Sequence, residues 1–311
     1  MTIARLSLLA LLVVGCTTEQ GVELEGSGQM WVSNRSTSII SRFERATTAA
    51  GDIVPTSQLR GTLTRLAQPA LLTYDKGNDR LFVANSGDNA ILIYDQFSQA
   101  VENVPPTRIL QGANTLLNRP VQVKFDSGND LLYVANAGVN SISVFANAST
   151  VEGAVAPLRT LQGSATRITS ISSFELDIPQ DRLWVANPQA NSLLVFDQMS
   201  TLNGDIPPVR EVSGGNTRLQ APQYLLRDGQ VMYVSCTGAL LRFEGIDSLA
   251  GNIAPTAFVT GQVTGLIRPQ QLALRLDRDE LYVADSGANG VLVFADASTA
   301  NASPPPLRRL Q

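Results

Sequence analysis

The 311-residue chain contains no histidine. That absence removes Ser-His and Cys-His nucleophilic pairs, imidazole-ligated zinc and the commonest general base together. Cysteine is limited to Cys16 and Cys236, and lysine to Lys76 and Lys124; the formal net charge is −4. Basic residues do not cluster, and tracking a phosphate backbone requires clusters, so no nucleic-acid partner is expected. No apolar run reaches the length of a membrane-spanning helix; the run at 6–14 is too short.

What is present begins with that short run. Arg5 followed by residues 6–14 has the pattern of a secretory signal over 1–15, removed from the mature chain. Its end, Leu12-Val13-Val14-Gly15-Cys16, resembles a bacterial lipobox. The resemblance implies that Cys16 is acylated and becomes the mature N-terminus. Two or three acyl chains anchor stably, because each buried methylene contributes roughly 0.8 kcal/mol. Residues 16–21 then form a short tether. Thr17 stands where such lipoproteins carry Asp for inner-membrane retention, which implies the outer membrane of a two-membrane cell, on its periplasmic or surface face. Acylation leaves Cys236 without a partner, so the fold must be held by packing; with no histidine to activate it, Cys236 reads as an inert buried thiol.

From there the chain repeats. Segments of the type Leu-Tyr-Val-Ala-Asn end at Asn34, Asn85, Asn136, Asn187, Cys236 and Asp285, with spacings of 51, 51, 51, 49 and 49. A strand-rich unit of that length cannot bury both faces alone and must stack on its neighbours. In the unit 120–163, alternation predicts a strand over 121–126, an apolar second strand over 131–135, a third over 141–145 and a fourth over 158–162. The fold class is therefore all-β: a six-bladed β-propeller with four antiparallel strands per blade and a period of about 50 residues. Blades fall near 22–61, 69–112, 120–163, 171–214, 222–261 and 269–311, with 22–25 as the first strand of the ring and no strand shared between the termini. Kelch propellers compete at this period, but their paired glycines occur here once, at Gly214-Gly215. An open solenoid would leave its end faces bare. Pro55, Pro106, Pro157, Pro208, Pro255 and Pro306 are expected to open the fourth strands, with Arg108, Arg159, Arg210 and Arg308 protecting those edges against strand addition.

Pro, a short apolar strand, Asp, a Gly/Asn turn and then Tyr-Val-Ala-Asn make the units resemble NHL and YVTN-type repeats, and the chain resembles bacterial lipoproteins built of them. Families with these repeats include protein-binding modules and lyases. The lyases and amidating enzymes among six-bladed propellers rely on histidines, which this chain lacks.

Candidate functional residues follow from phase. If first strands line the channel, one strand face carries Glu23 and Glu25, Leu71 and Thr73, Gln122 and Lys124, Ser173 and Glu175, Tyr224 and Leu226, and Gln271 and Ala273. Polar residues where a packed core would place Val or Ile mark a wet channel or a ligand site. Glu23, Glu25 and Glu175 have the oxygen chemistry of a calcium ligand set, and the resemblance to lactonase-like propellers implies such a site; otherwise no cofactor is expected. A second motif, Gly-x-x-Thr, lies between blades, and Arg65, Arg119, Arg167, Arg218 and Arg268 sit in these loops as candidate contacts for an anion, or as solvated loop charges. The strand-end Asn34, Asn85, Asn136, Asn187 and Asp285 are turn-forming residues or a polar ring for a glycan or cation. The leading expectation is a non-enzymatic, lipid-anchored envelope module, monomeric, that binds a protein or glycan partner. The alternatives are a calcium-dependent periplasmic hydrolase of the lactonase type and a purely architectural surface protein.

Overall fold

The computed structural model describes residues 20–24, 28–46, 48–100, 102–300 and 303–310. Twenty-four strands form six sheets of four, each in sequential antiparallel order. Blade 1 holds β1 (Gln20–Leu24), β2 (Met30–Asn34), β3 (Ile39–Phe43) and β4 (Ser57–Leu59). Blade 2 holds β5 (Pro69–Asp75), β6 (Arg80–Asn85), β7 (Ala90–Asp95) and β8 (Arg108–Gln111). Blade 3 holds β9 (Pro120–Asp126), β10 (Leu131–Asn136), β11 (Ser141–Ala146) and β12 (Arg159–Leu161). Blade 4 holds β13 (Ser173–Asp177), β14 (Arg182–Asn187), β15 (Ser192–Asp197) and β16 (Arg210–Val212). Blade 5 holds β17 (Tyr224–Asp228), β18 (Val231–Cys236), β19 (Ala239–Glu244) and β20 (Ala257–Thr260). Blade 6 holds β21 (Pro269–Arg275), β22 (Glu280–Asp285), β23 (Gly290–Phe294) and β24 (Arg308–Leu310).

The core is divided among the blade interfaces. One apolar cluster fills each, and the interface between blades 6 and 1 packs Met30 and Ala46 against Tyr282, Ala284, Val291, Val293 and Leu310. That cluster excludes an open stack, whose end faces would be bare. The ring closes with every blade contiguous, and a backbone bridge joins Gly51 to Leu310, with the Gly51 amide donating to Arg309 O at 2.7 Å. Similar bridges tie Leu59 to Glu102, Leu110 to Gly153, Leu161 to Gly204 and Val212 to Gly251. The connection between the third and fourth strands of each of these blades thus runs alongside the preceding blade's outer strand.

Two expectations need correction. The fourth strands open at Ser57, Arg108, Arg159, Arg210, Ala257 and Arg308, two residues beyond the prolines. The reason is hydrogen bonding: the first amide bonded to the third strand belongs to the residue after each proline, as in Thr107 N to Ile93 O and Leu158 N to Val144 O, at 2.8 and 2.7 Å. Proline, having no amide hydrogen, fits just before that point.

The second correction concerns the arginines, which do not stand out from an edge. Arg108 pairs with Asp95 on its own blade and donates to the carbonyls of Ala148 and Val151 on blade 3, with its side chain only 11 % exposed. Arg210 does the same to Ile246, Asp247 and Leu249 on blade 5. Arg308 binds Glu280 and the Tyr282 hydroxyl at 2.8 and 3.0 Å. Arg108 and Arg210 clamp the next blade, and Arg308 is held by partners on its own blade. A carbonyl at the end of a turn has no ladder partner, and a partly desolvated guanidinium supplies the donor.

Blades 1 and 5 have Ser57 and Ala257 at the clamp position, and the register explains how they manage. Ser57 lies opposite Arg42, and Ala257 opposite Arg242, both on the third strand. Arg42 reaches Ser98 O at 3.4 Å, and Arg242 reaches Ala297 O and Ser298 O, in each case on the next blade. The charge has crossed one strand pair and kept its target. An aromatic residue occupies the same row on each second strand: Trp31, Phe82, Tyr133, Trp184, Tyr233 and Tyr282. Arg42, Arg210 and Arg308 lie over Trp31, Trp184 and Tyr282 with ring-centroid distances of 5.1, 5.7 and 6.0 Å.

Candidate functional site: channel wall and loop face

Radial sheets leave their innermost strands side by side with no ladder between them. Side chains do that work here. Thr73 Oγ1 on β5 donates to Val123 O on β9 at 2.6 Å. Gln122 Oε1 on β9 accepts the Phe174 amide of β13 at 2.6 Å, and Ser173 Oγ accepts the Leu225 amide of β17 at 3.1 Å. Gln271 Nε2 on β21 donates to the Tyr224 hydroxyl at 3.4 Å. Lys124 Nζ sits 2.6 and 2.7 Å from the two carboxylate oxygens of Glu175, with side chains 19 % and 10 % exposed. The second strands add Ser33 Oγ to Ala70 O and Ser235 Oγ to Gln270 O, at 2.7 and 2.6 Å.

The predicted channel residues Gln122, Lys124, Ser173, Glu175, Tyr224 and Gln271 therefore do converge, linked between consecutive blades from 3 to 6. Their polarity has a structural cause: buried backbone amides and carbonyls of adjacent first strands need partners. Glu25 lies outside the described residues, and for Glu23 the described feature is its backbone pairing with Trp31. Both oxygens of Glu175 face the Lys124 ammonium, and Oε1 also accepts the Leu176 amide at 3.2 Å. A divalent cation at Glu175 would meet that ammonium first. Among the described residues no three His, Cys, Asp or Glu side chains converge. Cys236 is fully buried and burial pushes its thiol up to about 12, so it is not a nucleophile at neutral pH.

One end of the propeller carries both the loops between blades and the turns joining second to third strands. Asn85 shows the connection: its Oδ1 accepts the Ala67 amide at 2.7 Å and its Nδ2 donates to Arg65 O at 3.0 Å. Asn187 accepts from Thr169 and Ser170 and donates to Arg167 O, and Asp285 accepts the Ile267 and Arg268 amides. Asn136 and Asn187 are nearly fully buried, as are Asn85 and Asp285. These strand-end residues pin loops instead of forming an open polar ring. Asn89 and Asn191, both with left-handed φ, accept the Arg119 and Ala221 amides at 2.7 Å. In the Gly-x-x-Thr motif, Thr115 Oγ1 donates to Gly112 O at 2.7 Å and accepts the Leu117 amide at 3.3 Å, an arrangement repeated at Thr64, Thr166, Thr217 and Thr264. Gly112 has φ 126°, and a Cβ there would lie 2.7 Å from Ala154 Cβ.

The five loop arginines are all exposed, but they occupy two positions. Arg65, Arg167 and Arg218 directly follow the motif threonine in left-handed geometry, whereas Arg119 and Arg268 directly precede the first-strand proline. Arg167 pairs with Glu211 on β16, and Arg218 lies over Phe258 on β20 at 5.8 Å. Both contacts are with outermost strands, so these two reach toward the rim and do not ring the channel mouth.

No family model matches the chain, and no curated protein does. Solved structures do. A protein of unknown function from Desulfotomaculum acetoxidans superposes with a TM-score of 0.62 at 13% identity, covering 93% of this chain and 84% of that one. Virginiamycin B lyase from Staphylococcus aureus gives 0.59 at 12% identity, covering 91% and 83%. A proposed 6-phosphogluconolactonase from Bacteroides fragilis gives 0.58 at 15% identity, covering 91% and 84%. This chain shares their fold. At these identities the likeness extends to architecture alone.

Proposed function

We propose that the chain is a lipid-anchored cell-envelope propeller of NHL/YVTN-like repeats that binds a protein or glycan partner and performs no catalysis. The observation that carries this reading is the use of the channel's polar groups. Thr73, Gln122, Lys124, Ser173 and Glu175 hold one first strand to the next, so these polar side chains are engaged in holding the ring together. The lack of histidine and the buried thiol of Cys236 support the same reading. Acylation at Cys16, with Thr17 following it, would place the protein in the outer membrane, where it would act as a monomer.

Two measurements test this. Fractionation of cells expressing Cys16→Ser should find the protein released from the membrane, and retention would sink the anchor. The detergent-purified full chain should leave lactone and ester substrates intact with or without calcium. Turnover that Glu175→Ala abolishes while leaving thermal unfolding unchanged would establish a hydrolase in place of a binding module.

A further inference from the structure

The first strand fixes which end of the propeller the tether leaves from. Gln20, at the start of β1, pairs with Asn34, at the end of β2, so the chain enters at the end carrying the inter-blade loops. Only three residues, 17–19, lie between Cys16 and Gln20, four residue steps in all. Fully extended, those steps reach at most about 14 Å. The body is deeper than that: first strands of seven residues, as in β5 and β9, run about 20 Å between the two ends. An acyl chain on Cys16 cannot pass around the body to seat the opposite end on a bilayer.

The tether end also carries exposed arginines. It exposes Arg60, Arg65, Arg119, Arg167, Arg218, Arg268 and Arg309, together with Asp52, Asp88, Glu102, Glu152 and Asp205. Two nearby acids are engaged: Glu211 pairs with Arg167, and Asp205 accepts the Thr166 amide at 3.1 Å. At the other end, Asp79, Asp130, Asp181 and Asp279 are half-buried and accept the amides and hydroxyls of Ser98, Ser149, Ser200 and Ser298, and Asp277 pairs with Arg275. From the tether length and the arginines exposed on that first face we infer that the inter-blade loop face is the membrane-apposed face, its arginines lying against the phosphates of anionic lipid headgroups. One acyl-bearing residue and headgroup contacts from arginines on the same face together give the two-part attachment that stabilises peripheral association. The partner is then met by the opposite end and the rim. This inference rests on the acylation of Cys16, and its failure is separable from the failure of that reading.

The test uses the acylated full chain in vesicles of phosphatidylcholine and phosphatidylglycerol containing a nitroxide on the headgroup. A fluorophore is placed on Asn114→Cys in the loop face or Gln180→Cys at the opposite end, both exposed positions. Cys16 is blocked by acylation and Cys236 is fully buried, so each variant labels once. The Asn114 probe should be strongly quenched and the Gln180 probe not, because contact quenching decays well within about 20 Å of separation. Equal quenching, or the reverse order, overturns the orientation while leaving the anchor intact. Failure of the chain to associate with vesicles overturns both. Arg65→Glu, Arg119→Glu and Arg218→Glu combined should lower Asn114 quenching in anionic vesicles. The unmodified face should show the same drop in pure phosphatidylcholine; quenching indifferent to both changes would refute the headgroup contact.

Discussion

The arginine that changes strands in blade 5 gives a prediction in which a second substitution should undo the first. In Arg242→Val the carbonyls of Ala297 and Ser298 lose a donor at an interface where the arginine side chain is only 10% exposed. The Glu244 partner is half exposed and adds little. Two charge-assisted bonds to carbonyls then put the loss at about 2–3 kcal/mol. For a domain of this size that is a fall in Tm of about 4–6 °C. Blades 2, 3, 4 and 6 place Ile93, Val144, Val195 and Val293 on the third strand opposite Arg108, Arg159, Arg210 and Arg308. Adding Ala257→Arg to Arg242→Val recreates that arrangement, so the double variant should recover at least half of the loss. Urea unfolding followed by tryptophan fluorescence, on a Cys16→Ser background, supplies the comparison. A single variant within about 0.5 kcal/mol of the parent, a change too small for a buried charge-assisted bond, would refute the clamp. A double variant no more stable than the single would refute the exchange across strands.

Three further outcomes follow from the same contacts. Lys124→Met should destabilise by about 1–2 kcal/mol, discounted for partial exposure, by leaving Glu175 unpaired; adding Glu175→Gln should recover part of this, as chemical denaturation of both variants will show. Thr115→Val should cost about 1–2 kcal/mol in the same assay, and Thr115→Ser much less, because the hydroxyl bridges Gly112 O and the Leu117 amide. Burial raises the carboxyl pKa of Asp95, but hydrogen bonds and charge from Arg108 and Arg80 outweigh it, and the net shift is downward. A folded pKa below the unfolded value gives stability that is present above about pH 4 and lost as pH falls through the lowered value. Asp95→Asn should therefore flatten the acid limb of a Tm-against-pH curve, and an unchanged limb would remove Asp95 from the account.

Repeat spacing made the architecture legible, because a strand-period pattern recurring six times has few packed solutions. Side-chain destinations were less legible. The arginines two residues after four of the prolines share a sequence position with edge-protecting charges, and only the structure shows Arg108 and Arg210 reaching the next blade's turn carbonyls. Arg42 and Arg242 fall outside the motif, so nothing in the one-dimensional pattern connects them to Arg108; the pairings Arg42 with Ser57 and Arg242 with Ala257 do. The channel set was recognised as polar from strand phase, yet its purpose depends on which blade lies beside which first strand.

Blade 4 shows how a broken local rule is repaired across an interface. Asp126 caps its own hairpin, accepting the Gly128 and Asn129 amides at 3.0 and 3.2 Å and the Asn129 side chain at 2.8 Å. Asp177 occupies the same repeat position, but Pro179 stands where Gly128 supplies an amide, and Gln180 replaces Asn129. The local cap is therefore lost, and a fully buried carboxylate is left needing a partner. Arg227 of blade 5 provides the nearer cation at 2.9 Å, where blades 2, 3 and 4 place Tyr74, Phe125 and Leu176, with Arg182 of Asp177's own blade farther off at 4.0 Å. Pro179 and Arg227 lie 48 residues apart and appear in the sequence as two unrelated irregularities. The fold makes them one: a proline that rigidifies a turn in one blade requires a cation from the next, and that requirement orders blades 4 and 5 against each other in a ring otherwise built from similar units.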